Sequence, residues 1–268
     1  MKIKVGVDRL EYSVEGRQFV DSCYRLIDKD DDLSNQTDWH EPGYIVKDLF
    51  DETASSEFLS HIESLLRKKI TAGGVSIGQK PIDQYHTLIK DYQDHLNVVE
   101  KTKLIESVEL GKYFEILEKQ VSEICHIPVV SKKPMNGERV FHFRVIRPNQ
   151  ADFNPLHKDA WQEENCGCIN LYIPICGSNE KSSLILAKGS HLHAEDTFTR
   201  TTEGARMNNV QFNVPGLISS KLPLEFVRPN PNPNQILVFS PYLIHGGSIN
   251  LNTDQTRISL EMRFWRKN

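Results

Sequence analysis

The sequence predicts a domain that is mainly β with a helical flank, and three observations predict it. Helical periodicity is confined to the first half of the chain; after Pro134 short β-branched and aromatic runs alternate with turn-rich segments; and three of those runs each carry one continuous apolar face. At 268 residues the chain is shorter than two typical domains, which favours a single domain. Residues 1–134 then form a mainly helical flanking region and residues 135–268 the β core.

Taken in order, the first forty residues hold the acidic cluster Asp28, Asp30, Asp31 and Asp32 without sustained periodicity, which reads as short strands and a solvated loop. From Thr53 to Ile70, Phe58, Leu59, Ile62, Leu65, Leu66 and Ile70 recur at helical spacing, with Asp51, Thr53 or Ser55 available as N-cap. A second helical stretch runs through Leu104, Ile105, Val108, Phe114, Leu117, Val121 and Ile124, interrupted at Gly111 and ended by Pro128. In the β half, Phe141, Phe143 and Val145 alternate with His142 and Arg144. Ile169, Leu171, Ile173 and Ile175 alternate with Cys168, Asn170 and Tyr172, and Ile258, Leu260, Met262 and Phe264 with Arg257, Ser259, Glu261 and Arg263. The apolar faces need a cover, which the amphipathic helices can supply. The polar faces are rich in His, Asn, Tyr and Arg rather than Lys, Glu and Thr, which favours a ligand-lined lumen over a solvated surface.

Composition narrows the function classes. Hydrophobic residues make up 38% and charged residues 25%, which is globular rather than disordered. With a mean hydropathy of −0.45, no apolar run approaches the roughly 20 residues that span a bilayer. The start of the chain has no apolar stretch of signal-peptide type, so a cytoplasmic location is expected. A net charge of −4 and a pI near 6.2 leave no electrostatic footprint for nucleic acid. The five cysteines Cys23, Cys125, Cys166, Cys168 and Cys176 are odd in number and irregularly spaced, so reduced thiols are expected. Cys166 and Cys168 have no second close pair to complete a tetrahedral sulfur site.

The sharpest local signal is Asn154-Pro155-Leu156-His157-Lys158-Asp159, where His and Asp two apart on an extended segment point to one side. A third ligand can come from His245, just after the apolar run Ile236 to Phe239 and the segment Ser240 to Ile244. Two imidazoles and one carboxylate form the facial set of non-haem Fe(II) and leave adjacent positions open. Downstream, Arg257 and Ser259 share a strand face and suit a bidentate grip on a carboxylate, although an ordinary salt bridge would also account for Arg257.

These residues resemble the phytanoyl-CoA dioxygenase-like family of Fe(II)/2-oxoglutarate-dependent oxygenases, roughly over Val140 to Trp265. Besides His157-Lys158-Asp159, the matching pieces are Leu171 to Ile175, the run Ser183 to His191, the stretch Gln235 to Asn250, and Arg257-x-Ser259; Lys188 stands where the family's turn has proline. The resemblance implies a double-stranded β-helix of jelly-roll or cupin type. Fe(II) would be held by His157, Asp159 and His245, and 2-oxoglutarate by Arg257 and Ser259, with Asn170 and Tyr172 as further cofactor contacts. It implies use of O2 and hydroxylation of an unactivated C–H bond with release of succinate and CO2. The carboxylate of Asp159 disfavours halogenation, because related halogenases have a small residue there. His142, Arg144 and Trp161 are candidate contacts to a small polar substrate; Arg147 has the opposite strand parity from Arg144. His191, despite its His-x-His spacing with His193, is implied to be structural. Two alternatives remain open at this stage, a non-catalytic small-molecule-binding β-barrel and a cupin-type metal-dependent isomerase or hydrolase.

Overall fold

The computed structural model describes residues 1–28, 32–49, 51–103, 105–150 and 152–267. Asp30 and Asp31 of the acidic cluster and Leu104 of the second helical stretch lie outside the described residues. Four α-helices occupy the first half: α1 (Glu52–Ala72), α2 (Tyr92–Lys103), α3 (Ser107–Leu110) and α4 (Tyr113–Cys125). Of the three possible caps for α1, Asp51 serves, its Oδ1 accepting the Ala54 N–H at 2.9 Å. The second stretch is broken at Gly111, whose φ of 54° ends α3. Helix α2 is not foreseen by periodicity, since its buried positions are His95, Val98 and Thr102, only one of them aliphatic.

The strands are, in chain order, β1 (Lys2–Val5), β2 (Asp8–Glu11), β3 (Gln18–Val20), β4 (Tyr44–Asp48), β5 (Val129–Val130), β6 (Phe141–Ile146), β7 (Cys168–Cys176), β8 (Leu186–Lys188), β9 (Phe198–Thr201), β10 (Ala205–Met207), β11 (Val210–Phe212), β12 (Leu217–Ser220), β13 (Glu225–Val227), β14 (Gln235–Phe239) and β15 (Arg257–Arg266). The main layer runs β4-β14-β7-β15, with β5 and β6 both paired to the far side of β15. Its register sets Leu260 between Phe143 and Ile173, and Glu261 between His142 and Tyr172. Phe58, Ile62, Leu66 and Ile70 of α1 bury in one core with Phe143, Ile173 and Leu260, so the helices do cover the apolar face of this sheet.

The second layer contains the sheets β2-β1-β13-β8 and β12-β9-β3. Single bridges join His245 to His157 on one side and to Leu186 on the other. Two layers, antiparallel except where β1 runs parallel to β13, enclose a lined interior and make a double-stranded β-helix, the jelly-roll class. The N-terminal strands bury more than the sequence suggests: Ile3, Val5, Tyr12 and Val14 sit in a second core with Leu156, Ile185 and Ile244, and the Tyr12 hydroxyl accepts the Leu156 N–H at 2.9 Å.

Two buried histidines make the fold acid-sensitive. His95 places Nε2 3.4 Å from Asp152 Oδ1 and shares a 3.1 Å hydrogen bond with the Tyr85 hydroxyl; His191 Nε2 donates to the His40 carbonyl at 2.7 Å. Burial pushes both imidazoles down to about 4. Unfolding returns them to about 6.5, so below that pH the unfolded chain binds more protons. Their contribution is therefore complete above about pH 6.5 and is lost as pH falls toward about 4. Urea midpoints measured from about pH 7.5 down to about pH 5 should fall steadily; a flat profile would mean the rings are not held neutral.

Candidate metal centre

His157 and His245 are brought together by a reciprocal backbone pair: each N–H donates to the other's carbonyl at 2.9 Å. Gly246 permits this approach, because with φ of 111° a Cβ there would lie 2.3 Å from the Pro155 carbonyl oxygen. The ring centroids are 4.4 Å apart. His157 Nδ1 donates to the Pro155 carbonyl at 2.7 Å and His245 Nδ1 to the Leu243 carbonyl at 2.9 Å. In each neutral ring this puts the proton on Nδ1 and leaves the Nε2 lone pair for a metal.

Asp159 completes the set, its Oδ1 lying 3.3 Å from His157 Nε2 and 3.8 Å from His245 Nε2. That oxygen is buried and has no hydrogen-bond partner, whereas Oδ2 accepts from Arg263 Nε at 3.1 Å and Nη2 at 3.0 Å. Burial would raise the Asp159 carboxyl, but Arg263 and the two imidazoles hold it well below the usual carboxylate range. A buried acceptor without a donor, facing two imidazole lone pairs, fits a cation. Among the described residues these three form the group able to hold a metal. Arg263, which the sequence offers only as one more polar residue on the last strand, thus fixes the Asp159 carboxylate. Arg263→Gln should weaken metal binding by about 10- to 100-fold, read by anaerobic titration of the metal-free protein. Unchanged affinity would reduce Arg263 to a packing role.

Away from these three residues, in the same cavity, lies Arg257, 1% exposed, with Nε and Nη1 lacking any partner. Ser259 Oγ and Asn170 Nδ2 are likewise buried and unsatisfied; Asn170 lines the cavity beside Arg263, whose Nε donates to its Oδ1 at 3.3 Å, whereas Ser259 is not among the cavity walls. A buried guanidinium with two unpaired nitrogens is costly, and an anion reaching this end of the cavity would offset that cost. Tyr172 lies beneath Arg257, ring to guanidinium 5.8 Å, but its hydroxyl is taken by Ser178 Oγ at 2.9 Å, and it does not line the cavity.

His142 and Arg144 do line the cavity, gathered by Glu261: Arg144 Nη2 and His142 Nε2 lie 3.2 and 3.4 Å from its Oε2. Trp161 requires a correction. Its indole N–H donates to Glu195 Oε2 at 2.9 Å and its ring packs on the second core, so it is turned away from the cavity. Arg147 also points elsewhere, onto Asp152 at 2.8 Å. Lys158 was missed. Lying between two inward-facing ligands it must face outward, and it is fully buried there, Nζ donating to Glu195 Oε1 at 2.7 Å over the Phe198 ring. The five cysteines are free, and no helix among the described residues is long and apolar enough to cross a membrane.

No protein-family model and no curated protein matches the sequence. Solved structures do match. ThoJ, a non-haem monooxygenase in its apo form, superposes with a TM-score of 0.51 at 12% identity, over 88% of this chain and 77% of that one. AviO1 from Streptomyces viridochromogenes Tue57 gives 0.48 at 14% identity, covering 85% and 91%. EctD from S. alaskensis, solved with 2-oxoglutarate and 5-hydroxyectoine, gives 0.49 at 12% identity, covering 96% and 84%. At such identity the likeness to ThoJ is one of fold.

Proposed function

We propose that this chain is an Fe(II)/2-oxoglutarate-dependent oxygenase resembling the phytanoyl-CoA dioxygenase-like family. Its reaction would be hydroxylation of an unactivated C–H bond of a small polar metabolite, with release of succinate and CO2. One observation carries the reading: a single cavity has cation-seeking atoms in one part and anion-seeking atoms in another. His157 Nε2, His245 Nε2 and Asp159 Oδ1 would hold the iron, while Arg257 and Ser259 would grip the distal carboxylate of 2-oxoglutarate and Asn170 Nδ2 would donate to the same molecule. Bound there together, iron and 2-oxoglutarate supply the activation of O2.

The chain's own residues do the rest. Arg263 keeps Asp159 to one free oxygen, which conserves open positions around the metal. Leu184, Phe239 and Met262 line the cavity with apolar surface that limits water. A metal-dependent isomerase or hydrolase would use the same three ligands but leave the buried cation of Arg257 without purpose, and a pure binder would leave the ligand set without one.

The test is anaerobic titration of Fe(II)-loaded protein with 2-oxoglutarate, followed by the visible charge-transfer absorption of the chelate. Its appearance is expected. Its absence in folded, iron-bound protein would overturn the oxygenase reading.

A further inference from the structure

The metal cavity does not end at its neck. Val140, His142, Arg144, Asn154 and Arg263 are walls both of this cavity and of an outer groove open to solvent. One side of the groove is α2, where Tyr92 and Leu96, one helical turn apart, are 43% and 39% exposed despite their apolar character. Facing partners come from Val210 and Phe212 of β11 and from Val214. Two opposed apolar patches set in otherwise polar walls form a slot with something to bury.

The groove's charge is less balanced than its residue count suggests. Asp152 is consumed by Arg147 at 2.8 Å, and Glu164 is solvent-exposed. Lys103, the last residue of α2, has no hydrogen bond or ion pair among the described residues. Partial burial and the charge of Arg144 push its ammonium down while Glu100, one turn back on α2, draws it up, and the side chain stays largely exposed on the groove wall. Arg144 itself is loosely held. Its contacts to Glu261, Asn154 and His142 run from 3.1 to 3.4 Å, whereas charge-assisted bonds close to about 2.7–2.9 Å. The buried pair Lys158–Glu195 reaches 2.7 Å in the same protein.

We propose that the primary substrate is an organic anion with an apolar body. The body lies in the slot between α2 and the β10–β11 hairpin, the anionic group is held between Lys103 on the groove wall and Arg144 at the neck, and the reacting carbon projects past Arg144 toward the metal. A carboxylate, sulfate or phosphate would satisfy the two cations. The word substrate rests on the oxygenase reading; the binding preference of the groove does not, and it can be measured without metal.

The experiment uses metal-free protein and two fluorescent dyes that share an apolar body, anilinonaphthalene sulfonate and the uncharged phenylnaphthylamine. The sulfonate should bind about tenfold more tightly than the neutral dye. Lys103→Glu and Arg144→Gln should each lower the sulfonate's affinity by about threefold to tenfold and leave the neutral dye nearly unchanged, while Leu96→Asp should weaken both. Lys103 is exposed, so its exchange leaves the fold standing even if Arg144→Gln, which strips Glu261 of its partner, does not. Equal affinities for the two dyes, or no binding, would overturn the proposal. So would a sulfonate signal lost in Arg257→Ala but kept in Lys103→Glu, which would place the anion at the inner end of the cavity. Failure of the oxygenase reading appears separately, as a missing chelate band in iron-loaded protein.

Discussion

His157→Ala is expected to yield a folded protein that retains no iron and turns over no 2-oxoglutarate above background. The imidazole is 3% exposed, yet its hydrogen bond runs to the Pro155 carbonyl two residues away and its other neighbours are Asp159 and His245 of the same site, so the side chain ties no distant element in place. Asp159→Ala should abolish turnover as completely but at a higher cost in stability, because it strands the Arg263 guanidinium that Oδ2 now accepts from. Arg263 keeps part of its side chain exposed, which softens that cost. Iron content, thermal melting and uncoupled 2-oxoglutarate consumption together check both variants. Wild-type turnover in either would sink the metal assignment.

Arg257→Ala should behave in the opposite way on the two axes of binding and stability. Removing a charge-assisted partner of a buried carboxylate costs roughly 2–5 kcal/mol, or about thirtyfold to several thousandfold in 2-oxoglutarate affinity. Yet the free protein should be no less stable, since two of this guanidinium's nitrogens are buried without partners and its charge pushes the neighbouring Arg228 down to about 10, behind the larger effect of burial. Affinity from the anaerobic chelate band and melting temperature without ligand separate the two effects. A variant that melts much lower and binds 2-oxoglutarate as before would mark Arg257 as a structural residue.

Much of the fold was legible because period-two alternation in β6, β7 and β15 reports which side of a sheet is covered, and the structure places α1 over that side. The ligand set was legible for a related reason: two residues apart on extended chain means one direction, and His157 and Asp159 do share one. What stayed hidden was pairing across elements. Nothing in the order of residues says that Arg263 reaches Asp159, 104 positions away, or that Glu261 gathers His142 and Arg144. Helix α2 was hidden because its inward positions include His95, which satisfies Tyr85 and Asp152 instead of filling an apolar stripe. Trp161 was misjudged because sequence proximity to the ligands does not reveal which layer a side chain joins.

The outward turn of Lys158 carries a mechanical consequence. The tripeptide His157-Lys158-Asp159 is guyed from behind at two points: the Leu156 N–H is tied to Tyr12, and Lys158 to Glu195, whose own N–H is anchored on the Tyr24 carbonyl at 2.6 Å. Both stays end in the first two dozen residues, a stretch with no motif and no contact to the cavity. Without these residues the chain would lose β1–β3 from its second layer and would keep His157, Asp159 and His245, but on a slackened rope, the right atoms at wandering angles.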